Sequence, residues 1–190
     1  MELDKTLETA WTLIEEGVTN RNSSFHTPTL ASIAGNGYPS VRTMVLRGVN
    51  IPKRFIEFHT DRRSPKYTEL SKYPESSVHF YDPSSKTQIT LRTTATLHYD
   101  DSLSAKAWAS SKPSSKLCYT TANGPGANVD APPAAPSNAD AIETSGYDNF
   151  CLVQADIQKL EWLRLFAAGH RRAIFTWPDQ GKEKAEWIAP

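Results

Sequence analysis

Residues 42–66 concentrate the groups that can hold a phosphate. Arg42-Thr43-Met44-Val45-Leu46-Arg47 is followed by Phe58-His59-Thr60-Asp61 and then by Ser64-Pro65-Lys66. Two strands ending in polar groups, then a turn that opens a helix, bring cationic side chains and free backbone N–H groups around one small volume, as a phosphate dianion requires. Ser64 is a good N-cap and Pro65 suits the first helical position, so Lys66 falls in the positive first turn. A cation is unfavourable there unless an anion is bound beside it. Arg42 and Arg47 are five residues apart and face opposite sides of a regular strand. Each group also has a plainer reading. Arg42 and Arg47 can be solvated strand charges, and Arg62, Arg63 and Lys66 an ordinary charged helix start.

The elements that must position these groups follow from hydrophobic spacing. Leu3, Leu7, Ala10, Trp11, Ile14 and Val18 recur at three- and four-residue steps and predict a helix over 3–18. From about 27 to 100 the period falls to two, in runs separated by Gly35-Asn36-Gly37, Asn50-Ile51-Pro52, Tyr73-Pro74 and Asp82-Pro83, which read as the hairpins of a meandering sheet. In Thr87–Tyr99, Ile89, Leu91, Ala95 and Leu97 alternate with Gln88, Thr90, Arg92, Thr94 and Thr96, so one face is core and the other is wet or a site. A short helix begins at Ser64, and another runs from near Ser102 to before Pro113. Residues 118–148, rich in Gly, Pro, Ala, Asn and Asp, read as a long mobile loop. Strands follow at Phe150–Ile157, Leu160–Leu165 and Arg171–Trp177. The pattern predicts a mainly β fold with flanking helices, and no internal repeat is evident.

Composition sets outer limits. The 190 residues suit a single domain, 1–190, with a sizeable core. Twenty-one basic and twenty-one acidic residues cancel, so no global field attracts nucleic acid or an anionic membrane, and any anion site is local. No apolar run is long enough for a membrane span and no secretory signal is visible, which predicts a cytoplasmic protein. Cys118 and Cys151 have no metal or redox spacing and read as free thiols in a reducing compartment. No metal site is expected.

The 42–66 segment resembles the flavin-binding segment of the pyridoxamine 5'-phosphate oxidase family, where R-x-x-x-L followed by K or R is succeeded by F-Y-T or F-H-T and then S-x-K. Gln88 in Lys86-Thr87-Gln88-Ile89-Thr90-Leu91 stands where that family has a glutamine contacting the flavin ring. Glu161-Trp162 and His170-Arg171-Arg172 carry the skeleton of its E-F-W-Q-G…R-L-H-x-R signature, and Glu186-Trp187-Ile188-Ala189-Pro190 is similar to its terminus. The resemblance implies an FMN-binding split β-barrel, six-stranded, antiparallel and Greek-key-like. It also implies a homodimer with FMN at the shared interface.

By the same resemblance, the cofactor contacts are Arg42, Thr43, Met44, Val45, Leu46, Arg47, His59, Thr60, Arg63, Ser64, Lys66, Gln88, Trp162 and Arg172. Arg63 stands in for an arginine whose place Pro65 occupies. Arg47, Lys112, Ser115 and His170 would contact a small substrate carrying a phosphate, since Trp108-x3-Lys112-Pro113-x-Ser115 is similar to the family's Y-x3-R-P-x2-S. His170 is the expected catalytic residue, although a lone histidine is more often structural, and Trp162 is a core tryptophan on composition alone. One departure matters. The family's R-L-H reads Ala168-Gly169-His170, so the arginine beside the substrate is absent, and pyridoxamine 5'-phosphate oxidation would need another cation. Two functions remain open, an FMN-dependent oxidoreductase and a non-catalytic FMN or pyridoxal-phosphate binding protein.

Overall fold

The computed structural model describes residues 2–133, 146–178 and 183–190. Helix α1 (Glu2–Thr19) buries Leu7, Ala10, Trp11 and Ile14 along the expected stripe, with Glu2 and Asp4 in its first turn, where the helix dipole favours negative charge. Its last turn comes very close to Phe25. A Cβ on Gly17 would stand 2.6 Å from the Phe25 carbonyl oxygen, so only glycine permits this approach.

Nine strands follow among the described residues: β1 (Thr29–Ile33), β2 (Pro39–Thr43), β3 (Leu46–Asn50), β4 (Phe55–Asp61), β5 (Glu75–Asp82), β6 (Thr87–His98), β7 (Phe150–Arg164), β8 (Arg171–Thr176) and β9 (Lys184–Ile188). Helices α2 (Pro65–Lys72), α3 (Ser102–Ser110) and α4 (Pro113–Lys116) lie between them. All pairings are antiparallel, in the order β2-β1-β5-β6-β7-β4-β3, with β8 on β7 and β9 on β8. Strands β2 and β3 therefore stand at opposite ends of this order, yet only Met44 and Val45 join them. In a flat sheet those strands would be roughly 29 Å apart at the usual strand spacing, whereas so short a linker spans about 11 Å. The sheet has to roll up. Met44 N–H donates to Pro28 O (2.8 Å) and Leu46 N–H to His26 O (2.9 Å), pinning the crossing to the segment that leads into β1.

Strand β7 makes the barrel a split one. One edge pairs with β6 along most of its length, while the other pairs first with β4, from Phe150 to Asp156, and then with β8, from Lys159 to Arg164. The mainly β split-barrel architecture agrees with the sequence reading, with strands beyond the six that the resemblance implied. The two strands expected at 150–157 and 160–165 are one strand of 15 residues, whose pairing with β6 resumes on both sides of a register shift at Gln158. The simple meander also needs correction. β1 pairs with β5 and β4 with β7 across large sequence separations, and Tyr73-Pro74 links α2 to β5 instead of turning a hairpin. The segment Arg42–Arg47, read as one strand, is divided between β2 and β3 because the chain crosses the barrel at Met44-Val45.

The core is the inner face of the sheet, where Leu30, Leu46, Phe58, Val78, Phe80, Ile89, Leu91, Leu160 and Phe175 are fully buried. The period-two alternation in β6 is observed, with Ile89, Leu91 and Ala95 buried and Arg92 and Thr96 exposed. A second cluster, Trp108, Phe150 and Leu152, seats α3 on the outer face of β7. Asp101 caps α3 through a reciprocal pair, accepting from Ser104 N–H at 2.8 Å while Ser104 Oγ accepts from Asp101 N–H at 3.0 Å. Of the loop expected over 118–148, Leu117–Tyr119 and Tyr147–Asn149 form single 3-10 turns, and residues 134–145 lie outside the described part.

Candidate functional site

The groups singled out from sequence fall into three places. The first is the corner where α2 meets β2 and the end of β4. Arg42 stands in the inward-facing row Arg42, Leu30, Val78 and Leu91, on the sheet face that α2 covers. There its Nη2 donates to Ser40 Oγ (2.6 Å) and Glu69 Oε2 (2.6 Å), and its Nη1 donates to Ser32 Oγ. Burial works upward on the Glu69 carboxyl, but the hydrogen bonds from Ser32 and Arg42 outweigh it and hold it below the usual carboxylate range. Thr60 and Ser64 are both buried, their hydroxyls 3.3 Å apart. Ser64 is the N-cap of α2 with Pro65 behind it, as expected, but its hydroxyl donates to Asp61 O (2.6 Å) and makes no cap to the helix. Burial, with Arg42 close by, depresses the Lys66 ammonium below its ordinary value. Two cations are thus crowded beside a helix N-terminus, an arrangement relieved by a bound anion.

Arg63 lies at the same corner with its guanidinium committed, Nη2 to Asp61 Oδ2 (2.7 Å) and Nη1 to Thr121 O (2.7 Å). The loop containing Gly124 packs directly on it, for a Cβ on Gly124 would stand 2.5 Å from Arg63 Cβ.

The second place is a cavity of about 440 Å³ beneath α3, lined by Arg47, His59, Lys112 and Ser115 from the sequence reading together with Glu57 and Lys106. Arg47 occupies a β-bulge: Leu46 faces Phe58 and Gly48 faces Glu57, leaving Arg47 as the extra residue. Bulges re-aim side chains in this way next to sites. Burial pushes His59 down to about 4, with the charge of Arg47 acting in the same direction, so at neutral pH it is an uncharged hydrogen-bonding group, seated edge-on against Phe150. Consecutive residues of β4 serve the two places, His59 the cavity and Thr60 the corner.

The third place is the far end of the outer sheet face. Tyr81, Gln88, Leu163, Arg172 and Ile188 pair successively across β5, β6, β7, β8 and β9, and so stand in one row on one face. Arg172 donates to Glu161 Oε1 through Nε (3.0 Å) and Nη2 (2.7 Å). Trp162 has the opposite parity, buried among core residues and edge-on to Trp187, with its Nε1–H buried and unpartnered. His170 is exposed in the turn before β8, its Nδ1 accepting from Phe166 N–H at 3.2 Å. Its neighbour Arg171 is paired with Glu2 at 2.7 Å. This end is not brought to the cavity within one chain. Gln88 is ten residues along β6 from His98, whose row contains His59, which is roughly 33 Å of strand.

Glu69, Glu57, Lys106 and Gly48 were not legible as site residues. Each sits outside a local motif, and only the register and the seating of the helices bring them to these places.

The rolled antiparallel sheet, with its cation-lined helix corner and adjoining polar cavity, is a split β-barrel. Residues 8–99 match the family model described as pyridoxamine 5'-phosphate oxidase, FMN-binding domain. No curated protein matches the chain. Among solved structures, a pyridoxamine 5'-phosphate oxidase-related, FMN binding protein from Nostoc punctiforme is similar at a TM-score of 0.79 and 23% identity, covering 96% of each chain. PhzG from Burkholderia lata, in complex with tetrahydrophenazine-1-carboxylic acid, is similar at 0.72 and 17% identity, over 98% of this chain and 92% of that one. A Clostridium acetobutylicum protein related to general stress protein 26 follows at 0.58 and 14% identity, covering 97% and 95%. At these identities the likeness establishes the fold.

Proposed function

We propose that this chain is an FMN-dependent oxidoreductase acting on a small anionic substrate in the cavity under α3. The observation that carries the reading is the adjacency of corner and cavity on β4, His59 lining one while Thr60 faces the other. FMN fits the residues present. Lys66, Thr60, Ser64 and the α2 N-terminus would hold its phosphate with Arg42, and the Gln88 amide is a donor suited to a polar ring once a second chain brings it there. Bound FMN supplies the hydride chemistry. The chain's own groups bind and orient: Arg47 and Lys112 attract the substrate's anionic end, Ser115 adds a hydroxyl, and neutral His59 donates or accepts one hydrogen bond at the cavity wall. His170 acts as a proton donor or acceptor only if a second chain brings it to the cavity.

That requirement supports a homodimer, in which the β8 end of one copy completes the cavity of the other. No described helix is long and apolar enough to cross a membrane, and the two cysteines are free thiols. Both features agree with work in the cytoplasm. A carrier without turnover is the second reading, favoured by Ala168 in the exposed turn where relatives of the resembled family have arginine. Titration with FMN followed by anaerobic reduction with NADH or NADPH decides between them. Binding with reduction supports the enzyme, binding without reduction by either donor supports the carrier, and absence of binding sinks both.

A further inference from the structure

The cavity holds one carboxylate among its lining residues. Glu57, half-buried on β4, makes no hydrogen bond or ion pair with any described residue, although Lys106 and His98 are near enough to act on its charge. Arg47, Lys106 and Lys112 line the same cavity and are likewise without ion pairs among the described residues. An acid and three cations sharing one concavity would ordinarily collapse into salt bridges, because an uncompensated, partly desolvated charge is costly. Here the backbone holds them apart. The bulge at Arg47 turns that side chain away from the regular ladder, and Gly48 clears room for the acid, since a Cβ there would collide with Glu57 Oε2. Burial raises the Glu57 carboxyl above its ordinary value, the direction a nearby cationic partner would reverse.

We propose that the cavity selects small zwitterions, with the ligand's anionic group at Arg47, Lys106 and Lys112 and its ammonium group on the Glu57 carboxylate. The inference rests on the cavity being the substrate site and adds the residue that reads the cationic pole. A phosphate or carboxylate compound without an amine fills half of the site and leaves Glu57 facing the ligand unpaired, so the cavity discriminates against it. A charge-assisted contact of this kind corresponds to ten- to hundredfold in affinity.

The test is calorimetric titration of the FMN-loaded protein with a matched pair of probes, pyridoxamine 5'-phosphate and pyridoxine 5'-phosphate, which differ only in an aminomethyl against a hydroxymethyl group. Wild type is expected to bind the amine at least tenfold more tightly. Glu57→Gln, verified by its flavin spectrum, is expected to erase that preference while leaving the alcohol's affinity within about twofold. Lys112→Ala should weaken both probes alike and preserve their ratio. Equal binding of the two probes by wild type, or a preference that survives Glu57→Gln, overturns the assignment. Binding of neither probe by FMN-loaded wild type overturns the cavity as substrate site and the assignment with it, whereas loss of the FMN reading would be visible beforehand in the flavin spectrum.

Discussion

At the residue scale the corner proposed to hold the phosphate rests on a balance of charge. Arg42 has both hydrogens of Nη2 and one of Nη1 engaged by Ser40, Glu69 and Ser32, so it meets a phosphate only with its remaining donors or by releasing Glu69. Lys66 carries no such engagement and is the freer ligand. Lys66→Ala is expected to weaken FMN by about one to two powers of ten, the worth of one charge-assisted bond, in a titration followed by flavin absorbance. An unchanged affinity would remove Lys66 from the site. His59 supports a prediction on pH. Its folded value of about 4 lies below the ordinary 6.5, so the unfolded chain takes up the proton first as pH falls. The stability held by neutral His59 is complete above pH 6.5 and is lost as the solution is acidified toward pH 4. Urea unfolding at pH 7 and at pH 4.5 should show wild type losing on the order of 2 kcal/mol more than His59→Gln. Parallel losses in the two proteins would mean that His59 charges freely in the fold.

Elements act here through close approach and register. Helix α1 reaches the barrel because Gly17 lies against the backbone of Phe25, a contact that a side chain cannot share. Gly17→Ala gains helix propensity yet is expected to destabilise by about 1–3 kcal/mol, because the helix end must move from the Phe25 carbonyl. Chemical denaturation reads the change, and a variant as stable as wild type would mean that the helix end yields without cost. The same logic of register explains Arg47. On a regular strand its neighbours would dictate its face, whereas the bulge frees it to enter the cavity.

For the whole molecule, assembly is the decisive question. The end of the sheet bearing Gln88, Arg172 and His170 and the cavity bearing His59 and Lys112 stand roughly 33 Å apart along one chain, too far for one small site. In the homodimer we propose, two copies related by a two-fold axis would place each end against the other's cavity, a self-complementary arrangement. Sedimentation at micromolar concentration is expected to give a dimer of the 21.1 kDa chain, and a monomer at that concentration would break the composite site.

Much of the corner was legible in residue order alone. Polar residues at strand ends, a Ser-Pro helix start and a lysine in the first turn are local signals, and local signals survive without a fold. The alternation in β6, the stripe of α1 and the start of α3 near Ser102 were legible for the same reason, since each depends on spacing within one element. The division of Arg42–Arg47 between two strands, the single long β7 with two partners on one edge, and the meeting of Glu69 with Arg42 and of Glu57 with the cavity cations were not. Those depend on which distant strands pair and in what register, and pairing is chosen by closure of the rolled sheet around its shared core, a property that no window of sequence contains.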